Sequence, residues 1–489
     1  MPEVNHNQDI SFHTDEETVR EKYISQRKQF WDDIADYPKD KAAWGKFYRK
    51  RITTIYRHLV GPGLGVLELG CGKGELLASL GPGYGVGLDL SGKMIDWARS
   101  NYPELVFHQS DAHGPLPEGN FDVVVLSDLI NDLWDVQTVL ERARSSISDD
   151  GRLIINFHSH LWSPALTFAR KSKLAKPNLP QNWLTMDDVV NLLNLSGFEP
   201  VRCWREVLWP LPGSVFDFTF NRVLSRFWPF KNFCLANFIV ARPKPRNRSD
   251  DLPVSIVVPA RNEAGNIEGI IQRLPEMGRY VELIFVEGGS TDRTYEAIEK
   301  AIPLHPERKI SLYRQPGKGK ADAVRLGFEK ASGEILMILD ADLSVPPEDL
   351  VRFLNAIRQG DGEFINGVRL VYPMEKQAMR FLNFLGNKFF SSAFSWLLGQ
   401  PTKDTLCGTK VLNRKNYERI VAGRSYFGDF DPFGDFDLIF GAAKLNLKSV
   451  DLPIRYRERT YGDTNISRWR HGWLLLKMLW VGLKRLKFI

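Results

Sequence analysis

Cysteine is scarce in this chain: 4 in 489 residues, at Cys71, Cys203, Cys234 and Cys407, with no CxxC pair. That spacing supports neither a disulfide framework nor a zinc site, and reduced thiols are the plain reading. Long apolar runs are missing too. A membrane-spanning helix needs about 18 or more apolar residues without charge, and Lys388 and Lys477 interrupt the two best stretches. The segment from Met1 to Glu17 is polar and acid-rich and lacks the apolar h-region of a secretory signal, so a cytoplasmic protein is expected. The net charge of +6 gives no nucleic-acid footprint by itself, although positive charge gathers near the C-terminus. There is no internal repeat and no low-complexity tract. What is present is an ordinary globular composition, 43% hydrophobic and 25% charged. The length exceeds what one hydrophobic core usually supports, so two domains are expected.

Residues 242 to 253 read Arg-Pro-Lys-Pro-Arg-Asn-Arg-Ser-Asp-Asp-Leu-Pro, a prolyl and charged stretch between two restarting strand patterns. The expected organisation is a helical extension over 1–44, a domain over 45–241, a linker over 242–252, a second domain over 253–470 and a basic amphipathic helix over 471–489. In the first domain, strand-like runs at Gly65–Leu69, Gly85–Leu88, Val106–His108, Phe121–Leu126 and Leu153–Phe157 alternate with helical stretches. In the second, strands are expected at Val254–Val258, Leu283–Val286, Ile310–Tyr313 and Ile335–Leu339. Both halves therefore read as doubly wound α/β sheets.

In the first domain, Val66-Leu67-Glu68-Leu69-Gly70-Cys71-Gly72-Lys73-Gly74 sets a glycine-rich turn between an apolar strand and a helical pattern. Such a turn lets backbone approach a ligand closely. A dinucleotide fingerprint would need glycine where Glu75 stands. Asp89 ends the second strand about 20 residues on, where a carboxylate can accept both hydroxyls of a ribose. Ser110-Asp111-Ala112 and Phe121 to Ser127 follow in order. These four landmarks resemble the class I S-adenosylmethionine-dependent methyltransferases over roughly residues 45 to 240. The resemblance implies a Rossmann-like domain with the methyl donor held by Glu68, Gly70, Gly72, Asp89, Asp111, Ala112 and Ser127. His158 and His160, after the fifth strand, are candidate bases or structural loop histidines. The Asn-Pro-Pro-Tyr type motif of nucleic-acid amino-methylating enzymes is absent where Ser127-Asp128-Leu129-Ile130 stands. A small or lipid-linked methyl acceptor is therefore expected, and a non-catalytic methyltransferase fold is the alternative. Ten aromatics crowd the stretch from Trp204 to Phe238. Most are expected in the core, though their density also suits a greasy passage or a membrane-facing edge.

In the second domain, Val254 to Glu263 is a buried-strand run ending in polar residues. It is followed by Phe285-Val286-Glu287-Gly288-Gly289-Ser290-Thr291-Asp292, by Gly317-Lys318-Gly319-Lys320-Ala321 and by Ile338-Leu339-Asp340-Ala341-Asp342. The second glycine-lysine loop suits a diphosphate. Two carboxylates flanking one small residue at a strand end can hold a hard divalent ion. The strings in this order resemble family 2 glycosyltransferases of the GT-A fold over about 253–470, with Glu287 where that family usually has aspartate. The resemblance places Pro259, Arg261, Glu263, Glu287, Lys318, Asp340, Ala341 and Asp342 around a nucleotide-sugar. It also implies Mg2+ or Mn2+ on Asp340 and Asp342, with Ser344 completing the set.

Asp404-Thr405-Leu406-Cys407-Gly408-Thr409-Lys410 is similar to the DxxCGxK pattern of the polyprenyl-phosphate branch, and Pro453 to Thr464 is similar to its basic loop. This implies a polyprenyl phosphate acceptor, a bifunctional enzyme peripheral on the membrane, and inverting transfer, with no nucleic-acid partner. Arg369, Arg380 and Arg459 are assigned to the acceptor phosphate, with Arg457 a near competitor, because guanidinium forks suit phosphate. Asp342, Asp404 and Arg459 are the catalytic candidates. A hydroxyl acceptor on a soluble glycan is the alternative, and it would require a base such as Asp404. The tail carries Trp469, Trp473, Leu476, Trp480 and Leu483 at helical spacing, which fits a membrane interface or packing on the protein's own core. Ala378–Leu398, with Phe381, Leu385, Phe389 and Trp396 near one side, is a second such stretch.

Overall fold

The computed structural model describes residues 7–36, 43–172, 177–211, 213–245, 251–369, 381–427, 434, 436–457, 461 and 468–488. The chain divides into two compact units that meet between Lys244 and Pro245.

The N-terminal unit contains a seven-stranded sheet of β1 (Gly65–Leu69), β2 (Tyr84–Asp89), β3 (Val106–Gln109), β4 (Phe121–Ser127), β5 (Ile147–His158), β6 (Phe198–Glu206) and β7 (Ala236–Pro243). Its order is β3-β2-β1-β4-β5-β7-β6. β1 to β5 pair in parallel, while β7 runs antiparallel to both β5 and β6. Side chains alternate across a strand, so Leu67, Leu69, Val124 and Leu126 enter one core and Val66, Val123 and Val125 the other. With both faces covered, the central strands read as unbroken apolar runs. Each such side chain contributes roughly 1.5–3 kcal/mol by leaving water. A long helix, Asn7–Ala35, precedes the sheet, and a second helix follows at Ala43–Leu59.

The aromatic stretch departs from expectation. Phe238 is buried and Trp204 stacks on it at 5.2 Å. Phe216, Phe218, Phe227, Trp228, Phe230 and Phe233 are instead exposed. Phe216 and Phe218 lie on a short helical run from Ser214 to Arg226, and Phe230 and Phe233 on a helical turn after it, between β6 and β7, and these faces pack on neither core cluster of the unit.

The C-terminal unit contains β8 (Val254–Ala260), β9 (Val281–Glu287), β10 (Lys309–Arg314), β11 (Ile335–Ile338), β12 (Phe364–Val368), β13 (Lys410–Asn413) and β14 (Ser449–Pro453). The order is β10-β9-β8-β11-β13-β12-β14, with β13 antiparallel to β11 and β12. Val254, Ile256 and Val258 face one core and Val257 the other; Met337 and Leu336 divide in the same way. Among the described residues no helix is long and apolar enough to cross a membrane. The helix Arg468–Gly482 buries Leu475 and Met478 and exposes Trp473, Leu476 and Trp480. The expected Trp469 and Leu385 side chains lie outside the described residues, as does that of Phe381, and Leu483 packs against the core.

Candidate active sites

Open α/β sheets bind ligands at the carboxyl ends of their strands, beside the point where strand order reverses. In the N-terminal unit that point lies at β1 and β4. The turn after β1 holds Gly70 and Gly72 at φ 70 and 52. A side chain at Gly70 would strike Leu129 at 2.7 Å, whereas one at Gly72 would meet nothing nearer than Met94 Sδ at 3.8 Å. Gly72 therefore borders room that a ligand can fill. Its N–H donates to Asp89 Oδ2 at 2.8 Å, and Ser91 N–H donates to Asp89 Oδ1 at 2.9 Å. Burial pushes the Asp89 carboxyl up, and the backbone amides of Ser91 and Gly72 only partly offset this. Asp111 accepts from the His113 amide at 3.1 Å and lies 2.7 Å from His113 Nδ1. Burial opposes its ionisation, yet His113 and Arg20 carry its carboxyl below the usual range. Ala112 and Ser127 stand partly buried on the same edge. The backbone turn and the two carboxylates stand together at the strand ends where such sheets bind ligands.

Glu68 lies beneath this turn, 2% exposed, and its Oε2 has no hydrogen-bond partner. Burial pushes its carboxyl up to about 8, against a hydrogen bond from the Leu77 amide. Glu68 is therefore mostly protonated at neutral pH. A carboxyl raised on folding contributes stability that is fully present below its unfolded value, about 4.3, and is lost as pH rises through its folded value. The unfolding temperature of this unit should therefore fall between about pH 4.3 and 8 and level off above that. Glu68→Gln should flatten that slope, and an unchanged slope in differential scanning calorimetry would exclude Glu68 as its source.

The long N-terminal helix ties itself to this edge through groups that no sequence motif flagged. Lys73 Nζ donates to the Ala35 carbonyl at 2.8 Å, and Ser91 Oγ donates to Asp32 Oδ1 at 2.5 Å. Trp31 Nε1 and Arg27 Nε both donate to the Asp132 carboxylate, at 2.8 and 3.0 Å. One helix thus reaches the loops after β1, β2 and β4.

A polar cluster sits at the ends of β4 and β5. Asp128, at φ 55, accepts from Tyr48 OH at 2.8 Å and from Asn156 Nδ2 at 2.6 Å. His158 Nε2 stands 3.9 Å from the same Asp128 oxygen, and His158 Nδ1 is buried without a hydrogen-bond partner. Burial raises the Asp128 carboxyl above its ordinary value, against His158 and Tyr48. His160 is exposed, its ring edge-on to Trp183 at 6.3 Å. Of the two candidate bases, only His158 adjoins a carboxylate here. Asp128, Tyr48 and Asn156 come from three distant stretches, so only folding assembles them.

In the C-terminal unit, β8 and β9 end side by side, with Ala260 opposite Glu287. Glu287 is 6% exposed and accepts from the Ser290 amide at 2.5 Å. Glu263 is buried, its amide donating to Thr294 Oγ1 and its carboxylate accepting from Asn266. Pro259 is half-buried and Arg261 exposed, while Lys318 projects from an exposed loop. Lys320, two residues on from Lys318, pairs with Asp340, Nζ to Oδ1 2.6 Å. Burial opposes ionisation of Asp340, but Lys320, Arg369 and Lys410 hold its carboxyl below the usual range. Asp342 is 6% exposed and accepts from the Ser344 amide and hydroxyl at 3.0 and 2.6 Å. Ala341 between them is buried.

Two links to Asp340 and Asp342 come from downstream. Gly408 packs so closely on the Asp340 carboxylate that any Cβ there would overlap it. The Arg457 amide donates to the Ser344 carbonyl at 3.0 Å, and Arg457 itself is exposed. Two carboxylates with a hydroxyl nearby suit a hard divalent ion that keeps waters and shares phosphate oxygens. Among the described residues no group of three His, Cys, Asp or Glu forms a complete metal cage.

Asp404 is 4% exposed. It takes a bidentate pair from Arg369, at 2.7 and 2.9 Å, and the amides of Leu406 and Cys407 at 3.1 Å. Burial works against its ionisation, but Arg369 and Lys410 together hold its carboxyl below the ordinary carboxylate range. A carboxylate so engaged is a weak base, and the Arg369 fork is turned to Asp404, not to open space. Tyr456 lies 5.2 Å from that guanidinium. Arg380 and Arg459, also expected at a phosphate, lie outside the described residues.

Comparison with known proteins places both units. Residues 255–421 match the glycosyl transferase family 2 model, and residues 67–155 match a methyltransferase domain model. Glycosyltransferase AglJ of Haloferax volcanii is 28% identical over 229 residues, covering 46% of this chain and 71% of that protein. The undecaprenyl-phosphate 4-deoxy-4-formamido-L-arabinose transferase of Pectobacterium carotovorum is 33% identical over 223 residues, covering 45% of this chain and 64% of the relative, less than two thirds of its length. A solved S-adenosylmethionine dependent methyltransferase from Mesorhizobium loti is 19% identical, covering 38% of this chain and 92% of its own, at a TM-score of 0.29 that decides nothing alone.

Proposed function

We propose, for a chain that carries a methyltransferase domain in its N-terminal unit and a family 2 glycosyl transferase domain in its C-terminal unit, that the two sites serve lipid-linked sugar chemistry. The C-terminal site moves a sugar from a nucleotide-sugar to a polyprenyl phosphate with inversion. The N-terminal site moves a methyl from S-adenosylmethionine to a small or lipid-linked substrate. The observation that carries the first part is the joining of Asp340, Asp342, Lys320 and Gly408 at the end of β11.

Pro259, Arg261, Glu263 and Glu287 border the nucleoside, and Lys318 and Lys320 meet the diphosphate. Mg2+ or Mn2+ on Asp340 and Asp342 would offset negative charge on the departing nucleoside diphosphate. A phosphate acceptor is already anionic and attacks the anomeric carbon without a base. The new carbon–oxygen bond forms opposite the old one, whose electron pair leaves with the diphosphate. That suits Asp404, which positions Arg369 and its own loop instead of taking a proton. Arg457, with Arg380 and Arg459, is assigned to the acceptor phosphate. Support comes from relatives whose names specify undecaprenyl phosphate, and from a dolichol-phosphate mannosyltransferase of Pyrococcus furiosus, 34% identical over 111 residues and 31% covered. The exposed Trp473, Leu476 and Trp480 would rest at the membrane interface. In the N-terminal unit, methyl transfer from a sulfonium is an in-line displacement governed by proximity, and His158 beside Asp128 can take the acceptor's proton.

The full chain should label a short polyprenyl phosphate from a radioactive nucleotide-sugar when supplied with Mg2+ or Mn2+. Asp342→Asn should lower that transfer by about 100-fold or more. Undiminished transfer would remove Asp342 from the site, and labelling of a soluble glycan without polyprenyl phosphate would favour a hydroxyl acceptor.

A further inference from the structure

We propose that segments 161–171 and 213–234 of the N-terminal unit form a membrane-docking face that rests the methyltransferase site on an anionic bilayer. It is separate from the C-terminal helix and does not depend on which methyl acceptor is used. The face begins from an anomaly of burial. Trp228 is 76% exposed, Val215 73% and Phe168 69%, and Leu161, Phe218 and Phe233 are exposed beside them. Soluble surfaces rarely gather so many large apolar side chains in so short a stretch unless something covers them.

The exposure is built into the fold. Buried Asn221 donates to the Trp209 carbonyl and accepts from the Trp209 amide, both at 2.8 Å, and Ser225 Oγ donates to the Asn221 carbonyl at 2.6 Å. The Arg226 guanidinium pairs with buried Glu206, which Arg51 also meets at 3.2 Å. Trp209 stacks on Phe216 at 5.7 Å from beneath. Trp162 Nε1 donates to the Phe233 carbonyl at 2.8 Å, tying the 161–171 segment to the 213–234 turns. A scaffold with this many buried polar ties holds the apolar groups outward, and so presents them ready for contact.

Charge selects the occupant. Arg222 pairs with Asp217, the single acid in these two segments, at 3.7 Å, which leaves Arg170, Lys171 and Lys231 as positive charge around the apolar groups. Tryptophan and phenylalanine flanked by lysine and arginine match an interface with anionic headgroups. Position supplies the use. Ser159 N–H donates to the Leu235 carbonyl at 2.7 Å, and His158 pairs with Ala236 across β5 and β7. The docking turns therefore leave the sheet beside the Asp128 and His158 cluster, so an acceptor lying in a bilayer has a short path to it.

The test uses the full chain and vesicles of phosphatidylcholine with or without phosphatidylglycerol, read by co-sedimentation. In a Trp473→Ser/Trp480→Ser background, the chain should still bind the phosphatidylglycerol vesicles. Adding Phe168→Ser and Trp228→Ser should lower that binding on the order of tenfold, with S-adenosylmethionine affinity by calorimetry unchanged. Unchanged vesicle binding after those two replacements overturns the proposal. So does a dimer that they convert to monomer in sedimentation velocity without any loss of vesicle binding, which would assign the face to a second copy. Loss of all vesicle binding on replacing Trp473 and Trp480 alone overturns it as well, because the C-terminal helix would then carry the contact by itself.

Discussion

Gly408→Ala is expected to lower sugar transfer by about 100-fold or more, since displacing a reacting group by about 1 Å costs that much. The reason is local. Gly408 is not in the left-handed region, so alanine brings no backbone strain of its own. Its Cβ would occupy the space of the Asp340 carboxylate. Asp340 would have to swing away from Lys320, to which it is bonded at 2.6 Å, and its distance from Asp342 would change. Binding of S-adenosylmethionine should be untouched, because the altered contact lies wholly in the C-terminal unit. The checks are initial transfer rates and the metal concentration for half-maximal activity, with calorimetry confirming that both units remain folded. Wild-type rates in the alanine variant would mean that Asp340 works from another position.

Arg369→Leu should destabilise the C-terminal unit by about 3–5 kcal/mol, the usual cost of stranding one partner of a buried ion pair. The Asp404 side chain is 2% exposed and that of Arg369 12%, so water cannot replace the missing charge. The amides of Leu406 and Cys407 would still bond Asp404, but without a countercharge. The sign with pH follows from the depressed carboxyl of Asp404. Its stabilisation is fully present above the unfolded value, about 3.9, and is lost as pH falls through the lower folded value. The gap between wild type and variant should therefore hold from pH 6 to 8 and narrow in acid. Arg369→Leu combined with Asp404→Asn should recover part of the loss, because the stranded charge is gone. Urea unfolding of the three proteins measures this, and an Arg369→Leu variant as stable as wild type would show that the pair contributes nothing.

How far the chain could be read without coordinates varies by element. The parallel strands β1 to β5 and β8 to β11 were visible because burial makes them largely apolar runs: Val66 to Leu69, Val123 to Leu126 and Val254 to Val258 are all buried, whereas the parallel pair β12 and β14 was not expected. The reversed strands were not. β13 is four residues long, and β6 carries Glu199, Arg202, Arg205 and Glu206 on a sheet edge, so neither offers a long apolar run; β7, fully buried, follows directly on the aromatic stretch that hides its start. The aromatics between β6 and β7 misled for a related reason. Composition counts apolar side chains but does not say which side of a turn they take.

The sequence by itself determined the parallel strands β1 to β5 and β8 to β11, the glycine turn at Gly70 and Gly72, and the strings Asp340-Ala341-Asp342 and Asp404 to Lys410, because each is a local pattern carried by consecutive residues. The tertiary structure alone decided which of these groups meet. It set Gly408 against Asp340, turned Arg369 to Asp404, paired Lys320 with Asp340, and drew Asp32, Trp31 and Arg27 to the methyltransferase edge. Those pairings join residues tens of positions apart, and no local spacing encodes them. They depend on how strand ends are brought side by side, and on burial that makes each charge find a partner.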